Sequence, residues 1–387
     1  MHEFADLRGR EAAFPEAEFA ARQAAARAAI KAAGHTALVV TGPETIYWLT
    51  GRQTAGYFAF QALVVPVAGD PALLVRQLER PGAAANTWLD DIAAYPDGAD
   101  PAEALAALVR RRGLARPALE RDGWFVAPAL AARIDAALGG PLPDGSGLLA
   151  PLRAVKSAAE LAAIRAAARY AQAGIAAGLE ACAAGTDENA VAAAMLAAAT
   201  AAGSEAMAME PLVASGPRSG LPHMTWRRRR LEPGDAVFLE LAGSHARYHA
   251  ALMRSVWIGP PPAEAQRMMD CALRALDAAL AALRPGRPCS APHVAAQAII
   301  DAAGYGPAFR KRIGYAMGVA FAPDWGEGNL LSLFTGEDRL IEPGMVFHLP
   351  ATLRRYGAWT VGASETVIVT ANGAEPLSDL SRTLSLR

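Results

Sequence analysis

His223, Glu240 and Glu365 are the side chains of this sequence best suited to moving protons. Glu240 follows the apolar run Ala236-Val-Phe-Leu239, and Glu365 stands just before Thr366-Val-Ile-Val369, so each carboxylate is embedded in a segment that reads as a strand. A carboxylate so placed either meets solvent from an edge strand or faces an interior cleft. If both face one cleft, two neighbouring buried acids push one pKa upward, which suits acid and base roles. His223 lies 17 residues before Glu240, on a loop that follows an apolar segment. An imidazole with an unperturbed pKa of about 6.5 exchanges protons at neutral pH without a metal, although a lone histidine is, on composition alone, more often structural. Tyr315, Asp324, Trp325 and Glu327 form a further cluster within Gly314–Glu327; read from composition, Pro323-Asp-Trp-Gly326 is a turn around a core tryptophan.

The elements that must position these groups fall into two regions, 1–150 and 151–387. Residues 16 to 34 read as an alanine-rich amphipathic helix closed by Gly34, followed by a short buried strand at Ala37–Val40. Strands at Ala62–Pro66 and Ala72–Val75 flank a Gly69-Asp-Pro71 turn, and helical segments near 102–113 and 127–138 complete an alternating α/β pattern. Gly139–Leu152 has the composition of an interdomain linker. Beyond it, Ser157-Ala-Ala-Glu160 is a capping box for a helix reaching about Ala184, and Thr186 can cap a second helix ending near Gly203. Leu231-Glu-Pro-Gly-Asp-Ala-Val-Phe238 and Ile341-Glu-Pro-Gly-Met-Val-Phe347 echo one another 110 residues apart. Each turn is preceded by helices, at 157–203 and about 262–303, which predicts two related halves with a cleft between them.

Composition narrows the function. With 53% apolar and 19% charged residues the chain can bury a large core, and a net charge of −1 without a basic stripe lacks the footprint of a nucleic-acid binder. Arg227–Arg230 reads as a solvated turn rather than a phosphate site. Three cysteines without a CxxC pair fit a reducing, cytoplasmic setting. The acidic N-terminus is unlike an export signal, and the longest uncharged stretch, Asn189–Ser204, is too short for a membrane span. The expected partner is a small molecule, with no nucleic acid and no membrane.

Several ordered motifs carry a family resemblance: Val213-Ala-Ser-Gly-Pro-Arg-Ser-Gly-Leu-Pro-His223, Gly234-Asp-Ala-Val-Phe-Leu-Glu240, Tyr248-His-Ala-Ala-Leu-Met-Arg254, Gly314-Tyr-Ala-Met-Gly318, Glu342-Pro-Gly-Met-Val-Phe347 and Ser364-Glu-Thr366. Over about 150–387 the chain resembles the creatinase and methionine/proline aminopeptidase superfamily, and residues 1–150 resemble the creatinase-type N-terminal domain. The resemblance implies an α/β (α+β) fold in which that α/β domain precedes a pseudo-symmetric pita-bread catalytic domain. It also implies a homodimer, in which Arg52, Tyr57, Phe58 and Arg76 could reach a partner's cleft; packing is the default reading of those four.

Metallopeptidases of the superfamily hold two metal ions with two aspartates, a histidine and two glutamates. Here the first aspartate position matches Glu240 and the second falls on Ala251; the histidine falls on Tyr315, a further peptidase histidine on Ala322, the first glutamate on Pro350, and the last on Glu365. Two carboxylates cannot assemble a dinuclear site, so the expectation is no metal and no other cofactor. His223 matches the superfamily's catalytic histidine. The run from Gly314-Tyr to Asp324-Trp-Gly-Glu327, with Phe347-His348, resembles metal-independent ectoine hydrolases, which implies substrate-binding roles for Tyr315, Asp324, Trp325, Glu327 and His348. The expected activity is hydrolysis of a C–N bond in a small cationic amidine or guanidine, with Glu240 as nucleophile or water-orienting group, His223 as proton shuttle and Glu365 stabilising the cation. A proline-directed metallopeptidase and a non-catalytic binding protein are the competing readings.

Overall fold

The structure is a computed structural model that describes residues 4–387. The chain divides into two compact units, Met1–Arg153 and Ala154–Arg387.

In the first unit the elements run α1 (Glu16–Ala32), β1 (Ala37–Val40), α2 (Pro43–Thr50), β2 (Ala62–Pro66), β3 (Ala72–Arg76), α3 (Arg80–Asn86), β4 (Asp91–Tyr95), α4 (Pro101–Arg111), β5 (Ala118–Leu119) and α5 (Pro128–Ala137). The sheet order is β4-β3-β2-β1-β5, antiparallel through β1–β2–β3 and parallel at both edges. Its strands are apolar on both faces because helices cover both sides, giving two cores around Leu38/Val40/Leu63 and Val39/Val64/Leu105. The expected linker is not free: Leu142 and Leu149 are buried, and Gly145 donates its N–H to Leu119 O, so Gly139–Leu152 packs onto this unit. Glycine and proline serve tight turns there rather than mobility. Arg52 is buried against Glu79 (2.7 Å), Arg76 is bound by Asp97, Tyr57 stacks edge-on with Phe125, and Phe58 is exposed.

The short α6 (Ala150–Ala154) leads into the second unit: α7 (Ala158–Ala181), α8 (Glu188–Ala201), β6 (Leu212–Ser215), β7 (Ala236–His245), β8 (Tyr248–Trp257), α9 (Ala263–Ala282), α10 (Ala291–Ala302), β9 (Gly314–Ala316), β10 (Ser332–Leu333), β11 (Val346–Arg355), β12 (Trp359–Thr370), β13 (Gly373–Pro376) and β14 (Ser385–Leu386). The Ser157–Glu160 capping box opens α7 with both of its reciprocal bonds. Asp187, not Thr186, caps α8: its carboxylate accepts from Ala190 N, while Thr186 O is taken by Leu231 N.

The sequence echo is a structural repeat. Gly234 and Gly344 both adopt left-handed φ, 94° and 90°, as the third residue of a Glu-Pro-Gly turn requires. Leu231 and Ile341 are both buried, and each accepts from the glycine that closes a helical segment, Gly185 and Gly286. Each turn then feeds a long hairpin, β7–β8 in one half and β11–β12 in the other, covered on one face by α7/α8 or α9/α10. The two sheets are β14-β8-β7-β6 and β10-β9-β11-β12-β13.

Candidate active site

Strand alternation decides which side chains meet. On β7, Val237, Leu239 and Leu241 pack under α7 and α8, so Phe238, Glu240 and Ala242 point to the opposite, inner face. On β11, Phe347, Leu349, Ala351 and Leu353 join the core containing α9, which turns His348, Pro350, Thr352 and Arg354 inward. The inner faces meet through β8 and β12. Ser255 Oγ accepts from Gly362 N (3.1 Å) and donates to Gly362 O (3.0 Å), and Thr366 Oγ1 makes the same pair of bonds with Ala251 N and O (3.0 and 2.8 Å).

This register corrects the reading of Glu365. The residue opposite Pro350 is Ser364, whereas Glu365 lies opposite Leu349 and shares its helix-covered face. A one-residue offset on a strand reverses the face. Glu365 Oε1 is bound there by Arg254 (2.9 Å) and Arg382 (3.0 Å), and Arg254 also donates to Met253 O, Ser364 O, Leu380 O and Ser381 O. Burial raises the Glu365 pKa against the pull of both guanidiniums. Glu365 is thus a buried ion-pair residue tying the C-terminal segment to the sheets, not a second cleft acid.

Glu240 stands alone. The residue is 8% exposed, and its carboxyl makes no hydrogen bond or ion pair among the described residues. Burial pushes its pKa up to about 7, with Lys311 and Arg354 opposing the rise and Asp324 adding to it; Glu365 plays no part. Lys311 is pulled down to about 7, by burial first and then by the positive charge of Arg354, while Glu240 resists the fall. Lys311 Nζ donates to Pro350 O, and the Arg354 guanidinium lies 5.9 Å from the ring of Phe238, two residues from Glu240 on the same face. Two cations therefore sit beside one carboxyl without closing an ion pair on it.

Tyr315 and His348 are joined, but not as free substrate contacts. Trp325 Nε1 donates to the Tyr315 hydroxyl oxygen (2.9 Å), which lies 2.9 Å from His348 Nδ1, and His348 Nε2 lies 2.7 Å from Ser364 Oγ. Burial drives the His348 pKa down to about 3, so its ring is neutral at pH 7, and burial raises that of Tyr315. With the indole donating, the phenol is free to donate to Nδ1, which leaves Nε2–H for Ser364. His348 and Trp325 are fully enclosed. Both are bonded to the Tyr315 hydroxyl, and Tyr315 would have to leave His348 to donate elsewhere. Glu327 is likewise engaged, in a buried ion pair with Lys156 (2.8 Å). Asp324 is exposed and closes a turn by accepting from Gly326 N.

His223 is exposed at the tip of a loop, with a left-handed φ of 56°, and makes no hydrogen bond among the described residues. Buried Glu188 anchors the root of that loop. Its carboxylate accepts from Ser215 N (2.8 Å), Ser215 Oγ (2.6 Å), Arg218 Nη1 (2.7 Å) and Arg227 N (2.6 Å), and Arg218 in turn holds Thr225 O (2.6 Å). Ser219 O accepts from Thr360 Oγ1 (2.6 Å), which docks the loop on the β11–β12 hairpin close to Arg354.

The donor set does not fit a dinuclear metal centre. Of the five ligand positions matched in the sequence, Ala251, Tyr315 and Pro350 bring neither carboxylate nor imidazole, Glu365 is turned to the helix-covered face, and only Glu240 is a carboxylate on the inner face, where Lys311 brings a cation. Among the described residues no three His, Cys, Asp or Glu side chains converge as a metal site would require.

The family model described as Metallopeptidase family M24 matches residues 162–371, and that of the Creatinase/Prolidase N-terminal domain matches 22–155. The chain belongs to metallopeptidase family M24. The M24 chain is 27% identical to the ectoine hydrolase of Halomonas elongata, over 97% of its own length and 98% of that protein. It is 30% identical to a probable dipeptidase, PepE, of Mycobacterium tuberculosis over 92% and 93% of the two chains. The structure of dipeptidase PepE from Mycobacterium ulcerans superposes with a TM-score of 0.83 at 28% identity, covering 96% of this chain and 99% of that one. These matches establish an M24 hydrolase with the creatinase N-terminal and pita-bread arrangement expected from the sequence. No helix among the described residues is long and apolar enough to cross a membrane.

Lys311, Arg354 and Glu188 escaped the sequence reading. Lys311 lies in Arg310-Lys-Arg312 and Arg354 in Arg354-Arg355, runs that resemble solvated turns. One signal was available: the chain has only three lysines, Lys31, Lys156 and Lys311, among 37 basic residues. In so arginine-rich a sequence a retained ammonium marks a place where a guanidinium does not serve.

Proposed function

We propose that this M24 hydrolase works without metal and cleaves a C–N bond in a small amidine or guanidine. The observation that carries the reading is Glu240, a buried, unpartnered carboxyl standing where its peptidase relatives need a cluster of ligands. A peptide carbonyl is a poor electrophile that metal ions ordinarily polarise, whereas an amidine or guanidine carbon is already electron-poor and its cation is complementary to a carboxylate. The resemblance to ectoine hydrolase over nearly the whole chain supports the same class.

Water adds to the amidine carbon as Glu240 accepts its proton. The C–N bond then breaks, and that proton passes to the departing nitrogen. A carboxyl with a pKa near the working pH serves both directions. His223, on the loop held by Glu188, carries the proton between site and solvent, and the Trp325–Tyr315–His348–Ser364 chain keeps the inner face rigid.

A second reading, a dipeptidase, is favoured by the 30% identical mycobacterial relative. One experiment separates the two. Metal content is measured on purified protein, and turnover of cyclic amidines, guanidines and Xaa-Pro peptides is followed with and without chelator. Far less than one equivalent of Mn, Co, Zn or Fe per chain, with chelator-resistant turnover of an amidine, is expected. Stoichiometric metal with peptidase activity lost to chelator and restored by Mn or Co would overturn the proposal.

A further inference from the structure

We propose that Lys156 is a positioning residue for the candidate active site: through its buried ion pair with Glu327 it seats the loop that keeps Trp325 bonded to Tyr315. Lys156 itself stands at the entry to α7, not on the inner strand faces. The consequence for turnover rests on the preceding reading; the consequence for Trp325 does not.

The loop closes on itself at its neck. The chain leaving β9 returns at Glu327, whose N–H donates to Ala316 O (2.7 Å), and Ala316 N donates to Leu331 O (2.9 Å), so residues 317–326 form a compact loop with adjacent ends. Its two limbs are held differently. The outgoing limb is bound to the tip of the β7–β8 hairpin: Gly318 O accepts from His249 N (2.9 Å), Ala320 N donates to Arg247 O (3.0 Å), and the Arg247 guanidinium lies 4.6 Å from the centre of the Phe321 ring. The returning limb leans on no strand. Among the described residues, 324–326 make one hydrogen bond within the limb, from Gly326 N to Asp324 Oδ1 (3.0 Å), and one out of it, from Trp325 Nε1 to the Tyr315 hydroxyl (2.9 Å). The limb is then anchored at Glu327, two residues beyond Trp325.

Glu327 fills a seat made for its charge. Its side chain is enclosed, and the equally enclosed Lys156 Nζ lies 2.8 Å from Oε2. A Cβ on Gly318 would collide with the Glu327 carboxyl, so the bare glycine leaves the room that the carboxyl occupies. Lys156 is fixed in turn by backbone: its N donates to Gly344 O (3.0 Å), Val155 bridges to Met345, and Ser157 opens the α7 capping box. The ion pair therefore ties the returning limb to the frame of the unit. Without the ammonium beside it, a carboxylate in an enclosed slot is costly, and it moves toward water. Trp325, two residues away, is drawn with it, and the indole leaves Tyr315. Asp324 moves as well. Of the charged groups acting on Glu240, namely Lys311, Arg354 and Asp324, only Asp324 rides on this loop.

The test uses the full chain with isotope-labelled indole nitrogens, followed by NMR. The Trp325 signal is assigned by its loss in Trp325→Phe. Exchange of its N–H with water is expected to quicken at least about tenfold in Lys156→Met, and equally in Gly318→Ala, which crowds Glu327 out of its seat without altering any charge. Turnover of the amidine that wild type cleaves best should fall about 10²-fold in both variants. The acid limb of its pH profile should move to lower pH, because the Asp324 charge that raises Glu240 has withdrawn. An unchanged Trp325 signal in either variant, even with reduced thermal stability, makes the pair structural only and overturns the proposal. So does wild-type kcat, or an unmoved acid limb, alongside a quickened indole. Should Lys156→Met fail to fold, Gly318→Ala decides by the same readings. If no amidine is turned over, the preceding reading falls while the indole exchange still judges the seating of the loop.

Discussion

Replacing Glu240 by glutamine should make the protein less active and, at alkaline pH, more stable. The carboxyl pKa is raised by burial from 4.5 to about 7, so the folded chain holds this proton more tightly than the unfolded chain does. The stabilisation from that proton is fully present below pH 4.5 and is lost as pH rises through about 7. A shift of this size corresponds to about 3 kcal/mol between the two limits, at about 1.4 kcal/mol per unit. The glutamine amide is always neutral and carries no such pH dependence. Lys311 titrates in the opposite sense, its depressed pKa weakening the fold as pH falls through about 7; Glu240 resists that fall, so loss of the carboxylate lowers the ammonium further and adds to the variant's relative gain as pH rises. The assay is thermal denaturation of wild type and Glu240→Gln side by side from pH 4 to pH 9. The variant's midpoint should gain on wild type as pH rises from 4.5 to about 7 and level off above that, by roughly 2–4 °C per kcal/mol for a unit of this size. Activity in the variant should fall by about two to four orders of magnitude. A stability difference that is flat with pH would show that Glu240 is not a buried, unpartnered acid. Wild-type turnover would show it to be a relic of an ancestral ligand set.

His223→Ala should lower kcat by about 10²–10⁴-fold, and combining it with Glu240→Gln should lower it little further, because groups acting as one unit are not additive; a double variant showing the full product of the two losses would separate their roles. Glu188→Gln replaces an acceptor of four donors by an amide with one acceptor oxygen, so hydrogen exchange across 215–227 should quicken and kcat should fall about tenfold or more; unchanged exchange would refute the anchoring role. Glu365→Gln leaves Arg254 without its buried counter-charge and should cost about 3–5 kcal/mol of stability, with kcat of the folded protein within a few-fold of wild type; a large loss of kcat at intact stability would return Glu365 to the catalytic machinery.

Local chemistry alone determined much of this protein. The Ser157–Glu160 capping box, the paired Glu-Pro-Gly turns and the apolar runs of β7 and β12 depend on neighbours within a few residues, so helix starts, turn geometry and the repeat were legible. So was the loss of metal ligands at Ala251, Tyr315 and Pro350, since a side chain without a suitable donor cannot acquire one by folding. Tertiary structure decided the rest. Glu365 and Ser364 are adjacent in sequence, yet strand register sends one to a buried arginine pair and the other to His348. Lys311 and Glu240 are 71 residues apart in sequence, and nothing local distinguishes an ammonium in a basic triplet from one facing a buried carboxyl. Burial and long-range pairing set the charge state of both groups, and those quantities exist only once the two halves have packed face to face.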